Sequence, residues 1–192
     1  MSWTALVPIK QANGRKSRLA GRLSLPDREA LADWMFRHVI ATLRSVREIS
    51  DVVVLCACVP DGWSGRSVRD DGSGLNQNLA AACNLLGGRR IAILHGDLPF
   101  LSVADVCALL VAADCGYAIA PDRHQTGTNG LALLSTSDFP FAFGENSFAA
   151  HRLARAGACA VVQRTGLAVD IDTPDDLGVA HGLGMALPVP AA

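Results

Sequence analysis

The chain reads as an α/β protein, a three-layer α/β/α sandwich around a mainly parallel sheet, and three observations predict this. Half of its residues are hydrophobic but only 5% are aromatic, so the interior must be built from Ala, Val, Leu and Ile, as in a sheet covered by helices on both faces. Short β-branched runs alternate with amphipathic stretches along the whole length. The 192 residues suit one domain with a substantial core, and no repeat or linker divides residues 1–185. Residues 186–192, with Pro188 and Pro190, read as a flexible C-terminal tail.

The elements follow in order. A strand over 4–9 runs into a polar loop, Lys10 to Arg22. Pro26 and Asp27 suit the first turn of a helix whose Leu31, Met35, Val39 and Leu43 repeat every four residues and form one apolar face. Asp51 to Cys56 is a β-branched strand, completing a βαβ opening. A loop from Pro60 to Gly74 precedes a helix from Leu75 to Leu86, stopped by Gly87-Gly88. Arg90 to His95 is a strand, and Ser102 caps a helix that runs to Ala112. Strands are predicted at 116–120, 130–134 and 159–163, an extended segment at 167–171, and helices at 148–156 and 174–182.

Charge and composition exclude several roles. With 17 basic and 18 acidic side chains dispersed along the chain, no basic field exists to hold a nucleic acid or an anionic membrane. There is no signal-like N-terminus and no apolar stretch near the roughly 20 residues of a membrane helix, so a cytoplasmic protein is expected. The six cysteines lack metal-ligand spacing and lie among apolar residues, which predicts reduced core thiols. The apolar helix faces suit either a core or the interface of a homodimer.

The chemistry centres on carboxylates and glycine-rich loops. Asp97 follows an interior run and precedes Pro99, which turns the chain out of the strand and leaves the acid at the sheet's carboxyl edge. In Asp170-Ile171-Asp172, alternation puts the two acids on one side and Ile171 on the other. Thr173-Pro174-Asp175-Asp176 reads as a helix start. Mg²⁺ takes oxygen ligands and commonly only one or two carboxylates, so Asp97 with Asp170 or Asp172 is a sufficient protein set.

Asn13 to Leu19 follows the first strand and carries Arg15, Lys16 and Arg18, charges suited to a triphosphate, although it matches neither common phosphate-loop pattern. Gly72-Ser73-Gly74-Leu75-Asn76 opens a helix, where free N–H groups and an Asn amide can read a base edge. Thr126 to Gly130 and Phe143 to Phe148 are further glycine-rich stretches, the latter with Ser147 as the N-cap of an anion-binding helix start. His95, His124 and His151 are too scattered for a metal triad, and no Ser or Cys stands beside a His and an acid, so the protein itself supplies no nucleophile.

Taken in order, Val7-Pro8-Ile9-Lys10, Lys16-Ser17-Arg18-Leu19, Gly74-Leu75-Asn76, Gly96-Asp97-Leu98-Pro99, Gly127-Thr128-Asn129, Phe143-Gly144 with Ser147-Phe148, and Asp170-Ile171-Asp172-Thr173-Pro174 resemble the 2-phospho-L-lactate guanylyltransferase family. That family includes the phosphoenolpyruvate guanylyltransferases of coenzyme F-420 biosynthesis. The resemblance implies a fold of the nucleotide-diphospho-sugar transferase type and an Mg²⁺-dependent reaction of GTP with a small phosphorylated carboxylic acid: 2-phospho-L-lactate, phosphoenolpyruvate or 3-phosphoglycerate. It further implies that Asp97, with Asp170 or Asp172, binds the metal and that Lys10, Lys16 and Arg18 contact phosphates. Gly74 and Asn76 would contact guanine or ribose, and Thr128, Gly144 and Ser147 would hold the acceptor. The chain departs from the family at Gln11 to Gly14, His95 and Glu145-Asn146. The rival expectations are a molybdopterin or sugar-phosphate nucleotidyltransferase, disfavoured by the short Val7 to Lys10 opening, and a non-catalytic nucleotide-binding regulator, which would need neither metal acid.

Overall fold

The computed structural model describes residues 2–9, 16–154 and 159–186. At its centre is a seven-stranded sheet in the order β3-β2-β1-β4-β6-β5-β7. The strands are β1 (Trp3–Pro8), β2 (Ile49–Cys56), β3 (Arg66–Arg69), β4 (Arg89–Leu94), β5 (Tyr117–Pro121), β6 (Thr128–Ser135) and β7 (Cys159–Val161). β1 pairs in parallel with β2 and β4, as do β2 with β3 and β5 with β7, while β6 runs antiparallel to both its neighbours. The sheet is mainly parallel, as expected, with one reversed strand.

Strand alternation sorts the apolar residues into two cores. Ala5, Val7, Val52, Val54, Ala92 and Leu94 face one side, under α1 (Leu25–Arg44) and α3 (Val103–Ala112). Leu6, Val53, Leu55, Ile91 and Ile93 face the other, under α2 (Leu75–Leu85) and α4 (Ser147–Arg152). Leu31, Met35, Val39 and Leu43 of α1 are all fully buried within the single chain, so the predicted apolar face meets the core. Leu31 and Met35 join Leu19, Ile171 and Ala180 in a third cluster beneath α6 (Pro174–Gly182).

Helix starts are specified locally. Ser24 accepts from the Asp27 N–H ahead of α1, and Ser102 with Asp105 and Thr173 with Asp176 form capping boxes on α3 and α6. Such a cap contributes about 1 kcal/mol.

Several expectations are corrected. The loop predicted over 60–74 contains β3, an edge strand whose Arg66, Ser67 and Arg69 are exposed, so no apolar alternation marks it. It is held by pairing with Val53 to Cys56 and by an Arg66–Asp51 ion pair at 2.7 Å. The segment predicted as extended over 167–171 begins instead as one helical turn, α5 (Thr165–Ala168). Asn129 donates its side-chain amide to the Leu167 and Ala168 carbonyls at 3.1 and 3.3 Å, satisfying the orphan end of that turn from across the sheet. The cap of α4 is Asn146, in the left-handed region at φ 56°, and Ser147 is its first helical residue. Only Cys56 and Cys83 are buried; Cys58 and Cys115 are exposed, and none of the six is joined in a disulfide. No helix among the described residues is long and apolar enough to cross a membrane. The predicted tail lies, from 187 onward, outside the described residues.

Candidate active site

Three segments meet at the carboxyl edge of β4. Asp97 lies just beyond that strand. β6 runs the opposite way, so its first residues arrive at the same edge, where His95 donates its N–H to the Asn129 carbonyl at 3.0 Å. The late acidic segment is tied in by the Ile171 N–H, which donates to the Asp97 carbonyl at 3.3 Å. Ile171 is fully buried, and its neighbours Asp170 and Asp172 both turn to the acid side, as alternation predicts.

Lys16 crosses this edge. It has a left-handed backbone (φ 56°) and precedes a short 3₁₀ turn, Ser17–Leu19, anchored by the fully buried Leu19. Its ammonium lies 2.6 Å from Asp97 Oδ2 and 3.1 Å from Asp172 Oδ1, with the side chain 7% exposed. Burial alone would lower the lysine pKa, but the two carboxylates outweigh it and hold the pKa above its ordinary value, so the group stays charged. Arg18 reaches Asp172 at 3.7 Å from an exposed position. The structure therefore brings together Lys16, Arg18, Asp97, Asp170 and Asp172. Lys10, the other predicted phosphate contact, lies outside the described residues.

Asp170 is pushed up to about 6 by burial and by the nearby Asp97 charge, against the hydrogen bond it accepts from Asn129 at 3.1 Å. A carboxyl in that state would be relieved by a cation. Among the described residues no three His, Cys, Asp or Glu side chains form a ready-made metal cluster. The donor chemistry nonetheless fits Mg²⁺, which takes one or two carboxylates and completes its shell with phosphate and water oxygens.

Sequence reasoning missed three residues that hold this arrangement. Asn129 links β6 to Asp170, and only its place beside Thr128 in a glycine-rich motif hinted at it. Asp176 accepts from the Asp172 and Thr173 N–H groups at 3.0 and 2.7 Å, in addition to capping α6. Arg123 binds Asp176 at 2.8 and 3.0 Å and also Asp175, so the acids expected only to start a helix also fix the loop that carries Asp172.

Thr128 and Asn129 point to opposite sides of β6, as neighbours in a strand must. Asn129 faces the acids. Thr128, 2% exposed, places its hydroxyl 3.0 Å from His151 Nδ1. The Ala142 N–H donates to His151 Nε2 at 3.0 Å, so the proton of the neutral ring sits on Nδ1 and is given to Thr128. Burial, with a smaller contribution from His95, lowers the His151 pKa to about 4 and keeps the ring neutral near pH 7. Toward His151 the Thr128 hydroxyl therefore acts as acceptor, which leaves its own hydrogen pointing elsewhere.

The remaining predicted residues lie around this second side. Gly74 (φ 110°) precedes α2 and Gly144 (φ 130°) precedes α4, both in backbone regions that favour glycine. Ser147 is 2% exposed and its N–H returns to the Gly144 carbonyl at 3.3 Å. Asn76 donates to the Phe143 carbonyl at 3.0 Å and accepts from the Phe143 N–H at 2.7 Å. Its carboxamide thus spends both ends on the loop before α4.

The chain is similar to known proteins over most of its length. A family model described as guanylyl transferase CofC like matches residues 3–186. The chain is 37% identical to a phosphoenolpyruvate guanylyltransferase of Conexibacter woesei, over 96% of this chain and 95% of that protein. It is 38% identical to one from Rubrobacter xylanophilus, over 96% of both chains. Among solved structures, a putative nucleotide-diphospho-sugar transferase from Desulfovibrio desulfuricans superposes with a TM-score of 0.78 at 16% identity, covering 98% of this chain and 90% of the other. A nucleotidyl transferase from Methanothermobacter thermautotroptrophicus gives 0.66 at 17% identity, covering 95% and 97%. The fold is that of the nucleotide-diphospho-sugar transferase type.

Proposed function

The chain belongs to the CofC-like guanylyl transferase family and is a nucleotidyltransferase, and from that premise we propose that it joins GMP from GTP to a small phosphorylated carboxylic acid with release of pyrophosphate. Phosphoenolpyruvate is the acceptor proposed first, because the relatives named above are phosphoenolpyruvate guanylyltransferases; 2-phospho-L-lactate and 3-phosphoglycerate are the alternatives, and the proposed setting is coenzyme F-420 biosynthesis. The observation that carries the reading is the convergence of Lys16, Asp97 and Asp172 within hydrogen-bond distance at one strand edge, with Asp170 beside them and the Thr128, Gly144 and Ser147 segments adjoining.

An acceptor phosphate is already anionic near neutral pH, so it needs no general base. Its oxygen attacks the α-phosphorus of GTP; a new P–O bond forms as the bond to the β-phosphate oxygen breaks, and the electron pair leaves with pyrophosphate. What this requires is alignment and neutralisation of negative charge. Lys16 and Arg18, with Lys10, supply positive charge to the triphosphate. The backbone N–H groups at the start of α2 after Gly74 meet the nucleotide. Thr128 donates its hydroxyl hydrogen to the acceptor, and the Gly144 to Ser147 turn receives the acceptor's anionic groups. Asp97, with Asp170 or Asp172, would hold Mg²⁺, which when bound neutralises and aligns phosphate oxygens.

The test is pyrophosphate release with Mg²⁺, each of GTP, ATP, CTP and UTP, and the three acids. Release with GTP and phosphoenolpyruvate is expected, and no release with GTP and any of the three would sink the reading. Asp97→Asn should lose turnover while keeping the native circular dichroism spectrum.

A further inference from the structure

Phe143 is held by three side chains, Asn76 and His95 from far away in sequence and His151 from the helix that follows. Asn76, in the first turn of α2, bonds both backbone groups of Phe143. His151, fully buried in α4, accepts the N–H of Ala142 and packs its ring edge-on to Phe143 at 4.7 Å between centroids. His95, directly after β4, places its ring 5.5 Å from Phe143 on the approach to Asp97. The next residue is Gly144, exposed and at φ 130°, where the chain turns into α4. The same His151 ring orients Thr128 through Nδ1. His151 itself is tethered by Tyr117, whose hydroxyl donates to its carbonyl at 2.9 Å.

We propose that Asn76 and His151 are positioning residues for the acceptor: together they clamp the Phe143–Gly144 turn, and His151 also sets the direction of the Thr128 hydroxyl. This rests on the proposed guanylyl transfer and assigns these two side chains to its acceptor half. Asn76 is thereby moved from reading the guanine to joining the helix on the nucleotide side to the loop on the acceptor side. The pair with Phe143 uses the N–H and the oxygen lone pair that lie side by side; the N–H and lone pair left over diverge, so the same amide cannot also bond a base edge at both ends. His151 has both ring nitrogens committed in the same way.

The two functions of His151 can be separated. Glutamine can set an acceptor oxygen near Nε2 and keep the Ala142 bond, whereas asparagine can set a donor near Nδ1 and keep the Thr128 bond. Asn76 is only half-buried, so Asn76→Ala and Asn76→Asp keep the experiment open if a His151 variant fails to fold.

The experiment measures KM for phosphoenolpyruvate and for GTP, and the GTP-over-ATP preference, in the wild type, Asn76→Ala, Asn76→Asp and both His151 variants. Acceptor KM should rise roughly tenfold or more, the consequence of losing one buried hydrogen bond, with GTP KM and base preference changed less than about twofold. A rise in GTP KM with relaxed base preference in Asn76→Ala would overturn the assignment of Asn76. Amide hydrogen exchange at Ala142 and Phe143 supplies an arm independent of turnover. Faster exchange in Asn76→Ala supports the clamp even if the wild type transfers no guanylyl group, and unchanged protection there overturns it.

Discussion

Asn129 donates to the Oδ1 of Asp170 at 3.1 Å, and the same amide holds the carbonyls of Leu167 and Ala168. One side chain of β6 thus ends a helical turn and fixes an acid at the site edge. Asn129→Ala should cost about 1–3 kcal/mol, because buried carbonyls lose their donor. Thermal denaturation should show this as a lower Tm, by several degrees for a chain of this length. The guanylyl transfer rate should fall as well, because Asp170 loses its orientation. Unchanged Tm and unchanged turnover would contradict both roles.

Lys16 neutralises two carboxylates that would otherwise attract a divalent cation. Lys16→Met should lower kcat/KM by about 10²–10³-fold, the usual scale for removing a charge-stabilising group from a reacting centre. In the absence of nucleotide, the same variant should bind Mn²⁺ more tightly, because no ammonium competes for Asp97 and Asp172. Titration followed by electron paramagnetic resonance reads the free metal directly. Weaker Mn²⁺ binding in the variant would show that Lys16 does not compete for these oxygens.

Asp176 combines a helix cap with a grip on the Asp172 backbone and a paired contact to Arg123. Asp176→Ala should destabilise the protein by about 2 kcal/mol, the sum expected of a cap and a charge-assisted hydrogen bond. Arg123→Ala should cost less, since Asp176 keeps its bonds to the Thr173 and Asp172 N–H groups. Urea denaturation of the two variants tests that order, and an equal loss in both would assign the effect to the ion pair alone.

His151, with its pKa lowered from 6.5 to about 4, makes stability depend on pH. Between these values the unfolded chain binds a proton at this position that the folded chain refuses, so stability falls as pH falls through the window and levels off below it. The full effect is at most about 3.5 kcal/mol, at about 1.4 kcal/mol per pKa unit. Asp170, raised from 3.8 to about 6, works the other way, since the folded chain takes up its proton first. The His151 contribution is therefore read as the difference between wild type and His151→Gln, measured as ΔG of unfolding from pH 7 to pH 4. Parallel curves would overturn it.

Much of this protein could be read locally. The β-branched runs, the capping residues and the four-residue apolar repeat of α1 specify elements within a few residues of themselves, and those elements formed where expected. β3 escaped notice because an exposed edge strand needs no apolar alternation. The turn of α5 escaped because its stability depends on Asn129, at 3.1 Å in space but 38 residues away in sequence.

The amino-acid sequence by itself determined the α/β alternation and placed Asp97 at a strand end, Lys16 after the first strand and two acids on one side of Ile171, since these follow from short-range periodicity and turn chemistry. Only the tertiary structure decided which of these groups meet. Lys16 finds Asp172 at 3.1 Å across 156 residues, and Asn76 finds Phe143 across 67. The reversed strand β6 brings Thr128 and Asn129 to the same edge as Asp97. Sheet order is a balance of long-range pairings, and no local pattern records which strand will lie beside which.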